Sequence, residues 1–163
     1  FPGNRGRRDR LHGGDGNDTI NGGLGRDYIS GGTGNDVSNG GGGNDVIFAN
    51  LGQDTSNGGD GDDTLFAVAR KDVAFKGDPN GDTLNGGNGN DKIHVRDGER
   101  DTVTCGAGDD TVFADQFDVI VGASQTDANG LCEHVVRNDT PESDSLSQKY
   151  EQSKEDAKEN GKT

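Results

Sequence analysis

The chain has no tryptophan, no methionine and only 26% hydrophobic residues among its 163. That scarcity excludes a conventional globular core, because so little apolar surface cannot offset the entropy of ordering the backbone. No apolar run approaches membrane-spanning length. Positive charge is also scarce: 16 Lys and Arg stand against 30 Asp and Glu, a net charge of -14. Nucleic acid and anionic membrane surfaces are therefore poor partners. Arg5, Arg7, Arg8 and Arg10 form a local basic cluster, read as a solvated chain end. There is no signal peptide or initiator Met, so the chain is expected to be a mature or excised fragment.

Catalytic constellations are missing as well. His12, His94 and His134 have no metal-ligand spacing, no nucleophile elbow occurs, and Ser124 has no context of a nucleophile. A thiol site of Cys105 or Cys132 with His134 is weaker than a disulfide reading, and the chain is expected not to be an enzyme.

What the chain does have is glycine, 30 residues of it, not spaced every third position as collagen requires. "GGDGNDTIN", "GGLGRDYIS" and "GGTGNDVSN" follow one another from Gly13, a unit G-G-x-G-x-D-x-U-x with U a large aliphatic. Its sixth position holds Asp18, Asp27, Asp36, Asp45, Asp54, Asp63 and Asp72, then Asp82, Asp91, Asp101 and Asp110 after two single-residue slips; Asp9 and Asp118 look like worn end copies. The U position reads Leu11, Ile20, Ile29, Ser38, Ile47, Ser56, Leu65, Ala74, Leu84, Ile93, Val103, Val112 and Ile120. A flexible linker would not keep an aspartate in phase. A solenoid without metal would explain the period and the aliphatics but not the aspartates.

These units resemble the hemolysin-type, or RTX, calcium-binding nonapeptide repeats, over roughly residues 13–121 and most specifically in Gly13–Gly59, Gly58–Phe66 and Gly86–His94. The resemblance implies an all-β fold, a right-handed parallel β-roll. In it the first six residues of a unit turn, the last three form a strand, and units eighteen residues apart stack on one side.

Stacking has an electrostatic consequence. Strands lie about 4.8 Å apart, so equivalent aspartates on successive coils repel by roughly 3 kcal/mol at an effective dielectric near 20. Calcium, with oxygens at about 2.3–2.6 Å, spans that gap, whereas magnesium at about 2.0–2.1 Å fits it poorly. The expected ligand carboxylates are Asp18, Asp27, Asp36, Asp45, Asp54, Asp63, Asp82, Asp91 and Asp110. Carbonyls of the glycine loops add oxygens: Gly13, Gly14, Gly16, Gly22, Gly23, Gly25, Gly31, Gly32, Gly34, Gly40, Gly41, Gly43, Gly58, Gly59, Gly61, Gly86, Gly87 and Gly89.

Counting in nines assigns two sides, one running Asp18, Asp36, Asp54, Asp72, Asp91, Asp110 and the other Asp27, Asp45, Asp63, Asp82, Asp101. Ions are expected between Asp18 and Asp36, Asp27 and Asp45, Asp45 and Asp63, and Asp91 and Asp110, with Asp36–Asp54 and Asp63–Asp82 as further pairs. "AVARKD" at Asp72 and "RDGERD" at Arg96–Asp101 carry fixed cations in place of glycines, so no ion is expected there and calcium should cluster toward the two ends. One sheet would hold Leu11, Ile29, Ile47, Leu65, Leu84, Val103 and Ile120, the other the thinner set Ile20, Ser38, Ser56, Ala74, Ile93 and Val112. Asn21, Asn39 and Asn57 should stack as a ladder on one outer face, with Phe48 and Phe66 on the other.

"CGAGDDTVFAD…CEHVV" resembles the closing segment of many bacterial RTX chains, which implies a Cys105–Cys132 bridge over the last coil; two free thiols are the alternative. A bridge implies an oxidising, extracellular setting. The expected organisation is a degenerate first repeat over 1–12, the calcium-binding roll over 13–121, a cap over 122–136 and a polar tail over 137–163, disordered or weakly helical around Leu146 and Tyr150. The expected function is calcium binding by a secreted, monomeric module that folds on binding. The rival is a fragment of a larger secreted enzyme, toxin or adhesin, whose partners would be a missing N-terminal domain or a cell-surface ligand. Ice binding would want a threonine ladder, which Asp15, Leu24, Thr33 and Gly42 do not make.

Overall fold

The computed structural model describes residues 6–67, 80–121 and 132–138. They form thirteen strands: β1 Arg10–Asp15, β2 Thr19–Leu24, β3 Tyr28–Thr33, β4 Val37–Gly42, β5 Val46–Leu51, β6 Thr55–Asp60, β7 Thr64–Phe66, β8 Thr83–Asn88, β9 Lys92–His94, β10 Thr102–Ala107, β11 Thr111–Ala114, β12 Val119–Ile120 and β13 His134–Arg137. Odd-numbered strands build a seven-stranded sheet and even-numbered strands a six-stranded one, each in chain order. Every pairing within them is parallel. The result is a parallel β-solenoid of about six turns with no helix among the described residues.

Each unit turns because its second and fourth positions take left-handed backbone, which glycine accepts without a Cβ clash. Asn50 shows the rule by exception: it occupies the second position of the glycine-poor unit "ANLGQD" and adopts φ 78° itself, as asparagine can. Its amide donates to the Ser30 hydroxyl at 2.7 Å, tying the substitute turn to the coil before it.

The core is a single file of U side chains between the sheets. Ile29, Ile47, Leu65, Ile93 and Val112 come from the odd sheet, and Ile20, Leu84, Val103 and Ile120 from the even one. This corrects the counting in nines, which put Leu84, Val103 and Ile120 with Ile29. The register steps from Ser56 directly to Leu84 and from Leu65 directly to Ile93. Both steps are 28 residues rather than 18. No rung lies between them. Asp72, Ala74, Arg70 and Lys71 lie outside the described residues. The even sheet is still the thinner one, because Ser38 and Ser56, both buried, are polar in the core file at its second and third rungs.

The outer ladders form as expected. Asn39 donates to Asn21 at 3.0 Å, Asn57 to Asn39 at 2.8 Å and Asn85 to Asn57 at 2.6 Å. On the odd sheet Phe48 and Phe66 stack at 4.7 Å, and the column continues through His94 to Phe113 with 4.6 Å between centroids at each step.

Cys105 and Cys132 are joined, with Cα atoms 5.4 Å apart and a sequence separation of 27. The bridge ties β10, on one sheet, to the segment that enters β13 on the other. β13 then pairs with β11, so the odd sheet gains a closing strand. In the chain-entropy account, closing a loop of this length contributes about 3–4 kcal/mol. Reduction is therefore expected to lower the melting temperature of the calcium-loaded chain and to raise hydrogen exchange at the Val135 and Val136 amides first. Unchanged melting under reductant would show the bridge to be idle. The tail beyond Asn138, with Leu146 and Tyr150, lies outside the described residues, as do residues 1–5 and Leu131.

Candidate metal centre

The turns stack in two columns. The turns that leave the odd sheet carry Asp18, Asp36, Asp54, Asp82, Asp101 and Asp118; those that leave the even sheet carry Asp27, Asp45, Asp63, Asp91 and Asp110. Within each column one carboxylate oxygen, Oδ1, accepts the backbone N–H of the aspartate one coil earlier. In the first column, Asp36 accepts from Asp18 at 2.8 Å, Asp54 from Asp36 at 2.7 Å, Asp82 from Asp54 at 2.8 Å and Asp101 from Asp82 at 2.6 Å. In the second, Asp45 accepts from Asp27 and Asp63 from Asp45 at 2.7 Å, and Asp91 from Asp63 and Asp110 from Asp91 at 2.8 Å. At the end of that column Glu133 takes over, accepting the Asp110 N–H through Oε2 at 3.0 Å.

The other oxygen is the informative one. Oδ2 of Asp18, Asp27, Asp36, Asp45, Asp63, Asp91, Asp101 and Asp110 is buried and has no hydrogen-bond partner. A buried acceptor left without a donor costs about 1–3 kcal/mol, and more when charged. Those of Asp18, Asp27, Asp36, Asp45, Asp63 and Asp91 face the α-carbon of the first glycine in their own loop. A methyl on Gly22 would meet Asp27 Oδ2 at 2.7 Å and the Gly40 carbonyl of the next coil at 2.5 Å; on Gly31 it would meet Asp36 Oδ2 at 2.6 Å and the Ala49 carbonyl at 2.7 Å. Gly13, Gly40, Gly58 and Gly86 repeat the arrangement with Asp18, Asp45, Asp63 and Asp91. Carboxylate and carbonyl oxygens thus converge beside the glycine α-carbon on six rungs. An all-oxygen donor set with unsatisfied negative charge fits a hard divalent cation.

Burial shapes the titration of these groups. It pushes Asp63 up to about 7 and Asp91 up to about 6, against the lowering effect of the backbone N–H each accepts, with neighbouring carboxylates adding to the rise. Asp45 and Asp110 are raised for the same leading reason, and Asp118 reaches about 8, with Asp115 beside it. A carboxyl that titrates near 4 in the unfolded chain and near 7 in the fold binds more protons when folded, so the metal-free fold loses stability as pH rises through that window. Without calcium, acidification from pH 7 to pH 4 is expected to increase β content. With calcium the sign reverses, since protons compete for the same oxygens, and the titration midpoint should move to higher calcium as pH falls. Circular dichroism at both pH values, with and without chelator, checks both signs.

Adjacent rungs join Asp18 with Asp36, Asp36 with Asp54, Asp27 with Asp45, Asp45 with Asp63, and Asp91 with Asp110. Asp63 and Asp82 do not meet: Asp63 neighbours Asp91, and Asp82 lies between Asp54 and Asp101 in the other column. The glycine loops sort differently too. Gly22–Gly23, Gly40–Gly41, Gly58–Gly59 and Gly86–Gly87 form one uninterrupted stack. In the other column Gly13–Gly14 and Gly31–Gly32 give way to Ala49–Asn50. Paired glycines therefore follow one side of the roll from Gly22 to Gly87, and Cys105–Gly106 takes the next rung. Counting in nines placed Asp101 beside Asp82 but on the wrong side of the roll, and it passed over Glu133, for which the acidic residue beside Cys132 was the signal.

A family model, the RTX calcium-binding nonapeptide repeat, matches residues 5–38, 30–65, 76–99 and 97–121, more than half of the chain. The chain belongs to this RTX family. No curated protein and no solved structure shows a significant match to it. RTX repeats bind calcium, and the donor set of this RTX chain is made of oxygen alone, as that ion demands. The role is that of a calcium-binding structural repeat. No helix of the described residues is long and apolar enough to cross a membrane.

Proposed function

We propose that this roll is an extracellular structural module that folds when calcium fills its aspartate columns after export. In the second column the ions lie between Asp27 and Asp45, Asp45 and Asp63, Asp63 and Asp91, and Asp91 and Asp110. Carbonyls of Gly22, Gly23, Gly25, Gly40, Gly41, Gly43, Gly58, Gly59, Gly61, Gly86, Gly87 and Gly89 complete them. In the first column Asp18, Asp36 and Asp54 act with the loops of Gly13, Gly14, Gly16, Gly31, Gly32 and Gly34, and Asp82 continues the column. The observation that carries this reading is the row of buried Oδ2 atoms without partners, six of them packed beside a loop glycine and a carbonyl of the next coil.

The Cys105–Cys132 bridge supports export, because such bonds persist in oxidising compartments. Extracellular calcium modules commonly work at about 10⁻⁴–10⁻³ M, a range that keeps the chain unfolded in a low-calcium cytosol and folded outside it. Calorimetric titration with calcium, with bound ions counted by equilibrium dialysis at millimolar calcium, tests the assignment. Several ions per chain are expected, with fewer in Asp45→Asn and in Asp63→Asn. A chain that binds none at millimolar calcium refutes the reading.

A further inference from the structure

Between β9 and β10 the repeat is broken, yet negative charge is densest there. Val95 stands where the first loop glycine belongs, buried to 0% exposure, so a side chain occupies the gap that glycine leaves open elsewhere. In its place the segment "RDGERD" brings acids. One carboxylate oxygen from each of Asp82, Glu99 and Asp101 lies within 4.8 Å of the others, and the three side chains are 2%, 3% and 0% exposed. Asp97, Asp115 and Asp118 are buried around them. Among the described residues Arg96 is the only buried Lys or Arg, and its guanidinium lies 5.4 Å over the Phe113 ring.

The local backbone holds this arrangement open. Asp97 accepts the Glu99 N–H at 2.9 Å, which folds the turn back on itself, and Asp115 accepts the Gly98 N–H at 2.9 Å from the following coil. Asp101 spends Oδ1 on the Asp82 N–H, and its Oδ2 is fully buried with no hydrogen-bond partner. The three oxygens lie no more than 4.8 Å apart, about the span across one calcium ion between two oxygen ligands, so a single ion can draw on all three.

We propose that Asp82, Glu99 and Asp101 form a second kind of calcium site, built from side-chain carboxylates instead of loop carbonyls. It binds its ion about tenfold more tightly than the repeat sites, because ligand charge is a main determinant of affinity for this ion. The inference rests on the reading that the repeats themselves bind calcium. It reverses the expectation that the Arg96–Asp101 turn is metal-free.

The test uses the full chain and calcium alone. Calorimetry with ion counting should resolve one tight ion ahead of the weaker class. Glu99→Gln should remove that ion and leave the weaker class, whereas Asp45→Asn should do the opposite. An unchanged count and isotherm in Glu99→Gln overturns the proposal. Should that variant fail to fold, wild-type crystals soaked in a lanthanide settle it by anomalous scattering, with a peak expected between Glu99 and Asp101. Peaks along the aspartate columns with none at Glu99 overturn this proposal alone; no peak anywhere overturns the repeat reading as well.

Discussion

Stripping calcium with a chelator is expected to abolish most of the β-sheet circular dichroism, and millimolar calcium to restore it. The expectation follows from where charge sits. Ten aspartates of the two columns, Asp27, Asp36, Asp45, Asp54, Asp63, Asp82, Asp91, Asp101, Asp110 and Asp118, are each at most 6% exposed. Neighbours in a column are one strand spacing apart, so each pair of ionised rungs repels by roughly 3 kcal/mol at an effective dielectric of 20. The fold offers about one core aliphatic per nine residues against that repulsion and the entropy of ordering the turns. Removing the counter-ions leaves uncompensated buried charge, which is strongly destabilising even in well-packed proteins. A β spectrum that survives chelation at pH 7 would mean that the columns are stable without ions. The model of calcium-driven folding would then fall.

Gly40→Ala is expected to cost about 1–3 kcal/mol in calcium and to lose bound ion, by a route that backbone strain does not explain. Gly40 is outside the left-handed region, so alanine is conformationally acceptable there. Its methyl, however, would enter the gap shared by Asp45 Oδ2 and the Gly58 carbonyl. Ala49 already carries such a methyl in the other column without breaking the solenoid. The substitution should therefore fold in excess calcium and bind fewer ions. Gly14→Ala is the counterpart: φ is +105° and nothing lies within 4 Å of the added carbon. It should cost about 1–2 kcal/mol through backbone strain and keep the full ion count. Equal ion counts in the two variants would show that the glycine gap has no part in binding.

The two glycines also mark what was readable. A nine-residue period is a local rule: glycine at set positions turns the chain, and one aliphatic per unit faces inward, so the solenoid, its parallel sheets and the aspartate columns follow from residues close in sequence. The Asn21–Asn39–Asn57 ladder and the Phe48–Phe66 stack follow too, because they depend only on the coil repeat. Register is not local. The extra length between Phe66 and Thr83 is one unit plus one residue, so counting in nines takes it for another coil, although the strands on either side pair directly. Pairing is decided by which long-range contacts form, and closure entropy changes slowly with the length of chain between paired strands.

The sequence by itself determined the repeat, the all-oxygen chemistry and the ion class, since each depends on residue type at short spacing. Tertiary structure alone decided which aspartates are neighbours, that Glu133 ends a column, and that Asp82, Glu99 and Asp101 share one buried space. Asp82 comes from the coil before the turn that holds Glu99 and Asp101, and only the stacking of coils brings the three within one ion's reach.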